Sequence, residues 1–247
     1  MRVLVMLPTY NEIENIQDVL EQARAALPEA DILVIDDGSP DGTADRAEKV
    51  GEELGGIDVL RRGAKSGLGS AYRAGFRVGL ARGYDVMIEM DADLSHDPAA
   101  LPELVAAVEN GADLAIGSRY VRGGSIPDWK WVRRAISRGG CLYARTMLGL
   151  SVHDVTAGYR AYHRDNLARI ALDRVRADGY GFQVEMTYLT AENGGRIVEV
   201  PIEFRDRCLG RSKMSSRIVV EAFLLVTWWS IRDRVRNFWE GSRAARN

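Results

Sequence analysis

Short apolar runs alternate with segments of helical period through the first half of the chain. Val3–Leu7 reads as a strand, and Ile13–Ala26 carries helical spacing behind Asn11, which is placed to cap it. Ile32–Ile35 predicts a second strand, Thr43–Leu54 a helix and Ile57–Leu60 a third strand. Gly67–Arg82 predicts a helix rich in small residues. Val86–Met90 predicts a fourth strand, Pro98–Asn110 a helix with proline in its first turn, and Leu114–Gly117 a fifth strand. This rhythm predicts an α/β fold, a mainly parallel sheet with helices on both faces. Past residue 120 the pattern is less regular. With no linker or internal repeat, the chain reads as one domain with a C-terminal extension.

Sheets of this kind bind ligands beyond the carboxyl ends of their strands. The polar clusters fall there: Thr9–Glu12, Asp36–Asp41, Asp91–Ser95 and Ser118–Tyr120. Asp91-Ala92-Asp93 leaves an apolar strand, and two carboxylates at that spacing suit a hard divalent cation shared with substrate phosphates. A surface turn with helix-capping aspartates is the alternative. The first strand is followed by no GxGxxG, Tyr72 stands where the third glycine of Gly67-Leu68-Gly69 would fall, and GxxxxGK[ST] is absent. A phosphatase with an aspartyl nucleophile would need paired acids on the first strand, which are missing.

Composition narrows the classes further. The 247 residues are 46% hydrophobic and 28% charged with net charge -2, which disfavours disorder. Cys141 and Cys208 form no CxxC, so a disulfide or zinc framework is disfavoured and a reducing compartment fits. No run approaches the ~18 consecutive apolar residues of a spanning helix, and the N-terminal run is too short for a signal peptide. From Arg211 onward eight Lys/Arg face three acids, leaving the body acidic and the tail basic. No nucleic-acid-binding motif accompanies that charge, so nucleic acid is not expected as a partner. Ser215–Trp239 reads as one long amphipathic helix with Ile218, Ala222, Leu225 and Trp229 on a face widened by Val219, Phe223 and Val226. Its tryptophans and arginines suit a helix lying in a membrane interface; the alternative is a helix packed on the core.

Pro8-Thr9-Tyr10-Asn11-Glu12, the segment Asp36–Thr43, Asp91-Ala92-Asp93-Leu94-Ser95-His96 and Gly117-Ser118-Arg119-Tyr120 occur in that order. With Ile136-Ser137-Arg138-Gly139, the segment Asp154–Arg160, Gly181–Glu185 and Arg207–Lys213, they resemble family 2 glycosyltransferases of the GT-A fold. More narrowly, they resemble dolichol- and polyprenol-phosphate mannose synthases. The resemblance covers about residues 1 to 215 and sets a catalytic domain, 1–214, before the helix and basic tail, 215–247.

The resemblance implies an inverting, metal-dependent transfer of mannose from GDP-mannose to a polyprenyl (dolichyl) phosphate. The products are polyprenyl phosphate β-mannose and GDP. A glucosyltransferase using a UDP-sugar, or a non-catalytic sugar-nucleotide-binding homologue, are the alternatives. It implies that Pro8, Tyr10, Glu12, Asp37 and Asp91 face the nucleotide sugar, and that Asp91, Asp93 and Ser95 hold Mg²⁺ or Mn²⁺. Arg119, Arg133, Ser137, Arg138, Arg207 and Lys213 would hold the acceptor phosphate, with Asp93, Arg119 and Arg207 closest to the chemistry. Packing for Tyr10, a dipole-favoured first-turn acid for Glu12 and solvated surface charges for the arginines are the plain alternatives. Asp36 reads as structural and His96 as a neighbour of the metal motif. Asp154 and Arg160 are read either as an orienting pair or as structural residues. Gln183 and Glu185 stand where other family members carry a base on QxxRW. That motif is absent, which fits an acceptor already anionic at neutral pH. The implied location is peripheral, on the cytoplasmic face of a membrane, compatible with a separate membrane-anchor subunit.

Overall fold

The computed structural model describes residues 1–175, 177–206 and 223–232. Strand β1 (Val3–Thr9) is apolar at nearly every position because both of its faces are covered. It pairs in parallel with β2 (Asp31–Asp36) on one side and β4 (Val86–Glu89) on the other. β3 (Ile57–Arg61) flanks β2 in parallel. Beyond β4 lie β6 (Arg160–His163), β5 (Leu114–Ser118) and β7 (Ile197–Pro201), giving the order β3-β2-β1-β4-β6-β5-β7. β6 runs antiparallel to both neighbours, and β5 and β7 are parallel to each other. The chain moves outward from β1 through β2 to β3, then returns to the other side at β4. The switch point therefore lies between β1 and β4.

Alternation along the strands feeds two cores. Val3, Val5 and Leu7 face α1 (Ile16–Ala26), α2 (Thr43–Leu54) and α4 (Leu101–Glu109), with Val86 and Ile88 beside them. Leu4, Met6 and Met87 face α3 (Leu68–Ala81), α5 (Trp131–Leu148) and α7 (Gly179–Glu192). A short α6 (Arg164–Arg169) follows β6. The small residues of α3 let it lie close on the sheet. A Cβ at Gly75 would stand 2.6 Å from Met6 Sδ, and one at Gly79 would stand 2.5 Å from Met87 Sδ. The first five strands and their helices match the sequence pattern within one to three residues at most ends.

Three expectations need correction. Asn11 does not cap α1, which starts at Ile16: its φ is +56°, in the left-handed region that asparagine tolerates. The backbone N–H groups of Asn11, Glu12 and Ile13 instead donate to Ser39 Oγ, Thr43 Oγ1 and Asp41 Oδ2, stitching the loop after β1 to the loop after β2. Among the described residues, the half past residue 120 is regular too, with β6, β7 and four helices. A helix over 223–232, here α8, buries Val226 and Trp229 in the α3/α7 core. The face expected at a membrane therefore packs inward at those residues, and Leu224, Trp228 and Ile231 are exposed on the opposite side. Ile218, Val219 and Ala222 lie outside the described residues.

Candidate active site

The carboxyl ends of the strands open into a cavity of about 730 Å³, a size that suits a nucleotide sugar. Its wall contains Pro8, Tyr10, Glu12, Asp37, Asp91, Asp93, Ser95, Arg119 and Arg133, all named by the sequence. Ser137 and Arg138 lie outside that lining: Ser137 Oγ accepts from Tyr120 Oη at 2.7 Å, and Arg138 is exposed, 5.2 Å from the Tyr120 ring. Arg207 and Lys213 fall outside the described residues.

The β2 and β3 ends form one side. Asp37 is 6% exposed, and its carboxylate accepts from Arg62 Nη1 at 2.8 Å and from the Ser66 N–H at 3.2 Å. Arg62 also donates to Ser70 Oγ at 2.7 Å. Lys65 Nζ stands 4.5 Å from the centre of the Tyr10 ring. Glu12 accepts from Asn15 Nδ2 at 3.0 Å within its own turn. Asp36 is structural, accepting from Thr9 Oγ1 and from Ser39 through both N–H and hydroxyl.

At the β4 end Asp93 is buried and Asp91 half-buried. Asp93 Oδ1 accepts from the Ser95 N–H at 3.1 Å, which fixes the turn. His96 is buried against Tyr159 and accepts the Asp91 N–H on Nδ1 at 3.2 Å. Beneath the turn, Glu89 is fully buried and accepts from Gln183 Nε2 at 2.8 Å. Burial pushes the Glu89 carboxyl up to about 8, against the pull of Arg160 and the Gln183 bond. Two hard oxygen ligands on one cavity wall fit a cation that takes its remaining ligands from a diphosphate. Among the described residues no cluster of three His, Cys, Asp or Glu forms a self-sufficient cage.

The β5 side carries the cations. Arg119 binds Asp154 through two bonds, Nε to Oδ2 at 2.7 Å and Nη2 to Oδ1 at 2.6 Å, and Nη2 reaches Thr156 Oγ1 at 3.0 Å. Trp129, Phe204 and Tyr120 surround the guanidinium with ring centres within 5.6 Å. Burial disfavours the Arg119 charge, but Asp154 outweighs it and raises the pKa above the ordinary value. The pairing of Asp154 with Arg160 is thus corrected. Arg160 is wholly buried and donates to the carbonyls of Val155, Ala157 and Gln183 and to Thr187 Oγ1. Arg133 stacks on Trp129 at 3.9 Å and binds Asp206 at 2.8 Å, and Asp206 also accepts from Trp129 Nε1.

The match to known proteins follows this geometry. Residues 4–171 fit the family model described as glycosyl transferase family 2. The chain belongs to glycosyl transferase family 2. Among family 2 relatives it is 56% identical over 244 residues to the undecaprenyl-phosphate mannosyltransferase of Micrococcus luteus, covering 99% of this chain and 98% of that protein. The polyprenol monophosphomannose synthase of Mycolicibacterium smegmatis is 49% identical, over 95% of this chain and 89% of that one. The dolichol-phosphate mannosyltransferase of Pyrococcus furiosus is 35% identical, over 96% and 67%. A glucosyl-3-phosphoglycerate synthase from Mycobacterium tuberculosis, solved with UDP, superposes with a TM-score of 0.70 at 21% identity, covering 93% of this chain and 80% of that one. That likeness speaks for the fold, a GT-A-like mixed α/β architecture.

The sequence missed Arg62, Lys65, Asp178, Trp129 and Phe204. Gly67 and Gly69 carried a usable signal. A Cβ at Gly67 would meet Asp178 Oδ2 at 2.4 Å, and Gly69 N–H donates to Asp178 Oδ1 at 3.0 Å, so these glycines mark a close approach of α7 to α3 at the cavity.

Proposed function

We propose that this chain transfers mannose from GDP-mannose to a polyprenyl phosphate, with inversion at the anomeric carbon. The observation that carries this reading is the pairing, in one cavity, of an acidic β4 turn with a cationic β5 wall. The names of relatives 49–56% identical over nearly the whole chain point to the same donor sugar and lipid class.

Asp91 and Asp93, with Ser95 beside them, would hold Mg²⁺ or Mn²⁺ on the donor diphosphate. The cation would neutralise charge on the departing GDP. An acceptor phosphate oxygen attacks C1 as the bond from C1 to the diphosphate oxygen breaks, and that electron pair leaves with GDP. The phosphate is already anionic, so no protein base is required. Gln183, at the position of a base in other family members, is buried and bonded to Glu89. Arg133 and the outward side of Arg119 would hold the acceptor anion, joined by Arg207 and Lys213.

The lipid acceptor calls for a membrane surface. Among the described residues no helix is long and apolar enough to cross a membrane. Trp131, Ile136 and Leu142 of α5 are 79%, 66% and 61% exposed, and α8 adds Leu224, Trp228 and Ile231. The two helices touch through Tyr143, which stacks on Phe223 at 4.5 Å and bonds Thr227 Oγ1 at 2.6 Å. Their exposed apolar sides favour peripheral attachment to a membrane surface.

The test is a panel of radiolabelled nucleotide sugars with purified protein, a short polyprenyl phosphate and Mg²⁺ or Mn²⁺. Mannolipid from GDP-mannose is expected. Glycolipid from a UDP-sugar in its place, or none from any donor, would overturn the reading.

A further inference from the structure

The strand order lays the donor site out as a line. Neighbouring strands are about 4.8 Å apart, so the end of β3 lies roughly 10 Å from the end of β1, about the reach of a nucleoside. A diphosphate held at Asp91 and Asp93, beyond β4, would leave the ends of β1, β2 and β3 as the run of cavity wall open to its nucleoside. Tyr10, Asp37 and Lys65 stand along that path, each on the cavity wall.

The segment carrying Lys65 is anchored on both sides. Arg62 N–H donates to the Asp36 carbonyl at 2.7 Å, and Arg62 Nη1 and Ser66 N–H both bind Asp37. Lys65 itself is exposed, with its ammonium 4.5 Å from the Tyr10 ring centre. An aromatic face and a cation at the far end of a nucleotide groove suit a base that stacks and offers acceptors on its edge. Guanine presents two adjacent acceptors on one edge, O6 and N7, whereas adenine replaces O6 by an amino donor and uracil offers only O4 on the corresponding edge.

We propose that Lys65 is the residue that reads the donor base: the base takes the place of the ammonium over the Tyr10 ring, and the displaced ammonium donates hydrogen bonds to guanine O6 and N7 at the base edge. This rests on the donor reading above and sharpens it, since it assigns guanine selectivity to a lysine in the loop after β3.

The test is calorimetric binding of GDP, ADP and UDP with Mg²⁺ to wild type, Lys65→Met and Lys65→Arg, read without any transfer. Wild type should prefer GDP over ADP. Lys65→Met should lose roughly tenfold in GDP affinity with ADP little changed, and Lys65→Arg should keep most of the preference. 7-Deaza-GDP, lacking N7, should bind wild type more weakly than GDP and lose less on Lys65→Met. If Lys65→Met keeps the GDP preference, or weakens all three nucleotides equally, the base-reading role is overturned while the donor reading stands. If wild type itself prefers UDP, the donor reading fails first. Lys65 is exposed, so an unchanged melting temperature in both variants is expected and separates binding from folding.

Discussion

Asp154 holds Arg119 in a two-bond pair with the Asp154 side chain wholly buried and the Arg119 side chain 5% exposed. The two residues are 35 positions apart, joining the end of β5 to the segment that enters β6. The pair keeps a cation at the cavity wall while cancelling most of its field. Arg119 therefore serves first as part of the wall and only second as an anion ligand.

Asp154→Ala should destabilise the fold by about 3–5 kcal/mol, because it strands a buried guanidinium. A double replacement, Arg119→Met with Asp154→Leu, should cost clearly less. Urea denaturation of the three proteins checks this, and a neutral Asp154→Ala would show the pair to be dispensable.

Asp93→Asn should lower turnover at least about a hundredfold, comparable to losing one preorganised electrostatic group. The fold should persist, since Asp93 lies in a turn beyond β4. EDTA should abolish wild-type transfer and added Mg²⁺ or Mn²⁺ should restore it. Undiminished activity in EDTA would remove the metal from the scheme.

Trp131→Ser with Trp228→Ser should reduce flotation with anionic liposomes several-fold and leave GDP binding unchanged, because both side chains are exposed away from the cavity. Flotation should also weaken as salt rises. Equal flotation of variant and wild type would send the lipid contact elsewhere.

Cys141 is buried beside Asp154 and Thr156, and burial pushes its thiol up to about 11. The reactive thiolate exists only as pH approaches that value, so at pH 8 it is on the order of a thousandth of the thiol. In a Cys208→Ser background the native protein should take up almost no thiol reagent at pH 8 and one equivalent after denaturation. Rapid native labelling would mean that this wall opens.

β1, β2, β4 and β5 were legible because strands covered on both faces are written as apolar runs, and the half-exposed edge strand β3 because Ile57, Val59 and Leu60 follow a helix of clear period. β6 was not, since it starts with Arg160, a residue whose burial depends on carbonyls from distant segments. β7 is short and half-buried. The acidic turn after β4 was plain from two aspartates following an apolar strand. The partner of Asp154 was not, because proximity in sequence favoured Arg160 and the true partner comes from another strand. Lys65 and Arg62 lie in a loop without a local signature; only the strand order brings Lys65 to the cavity wall and Arg62 to Asp37.

The reversed direction of β6 has a consequence for how such a site can change. A parallel strand offers the loop that leaves it to the reactive edge, whereas β6 offers the loop that enters it. Thr156, Ala157 and Gly158, which lead into Arg160, thereby reach the cavity between the acidic turn and Arg119. Substitutions in this short segment can reshape the ground where the two substrates meet. The loops after β1, β2 and β3, on the side of the cavity proposed for the nucleotide, need not alter. One inverted strand thus sets apart a side of the site built on an entering loop from a side built on leaving loops.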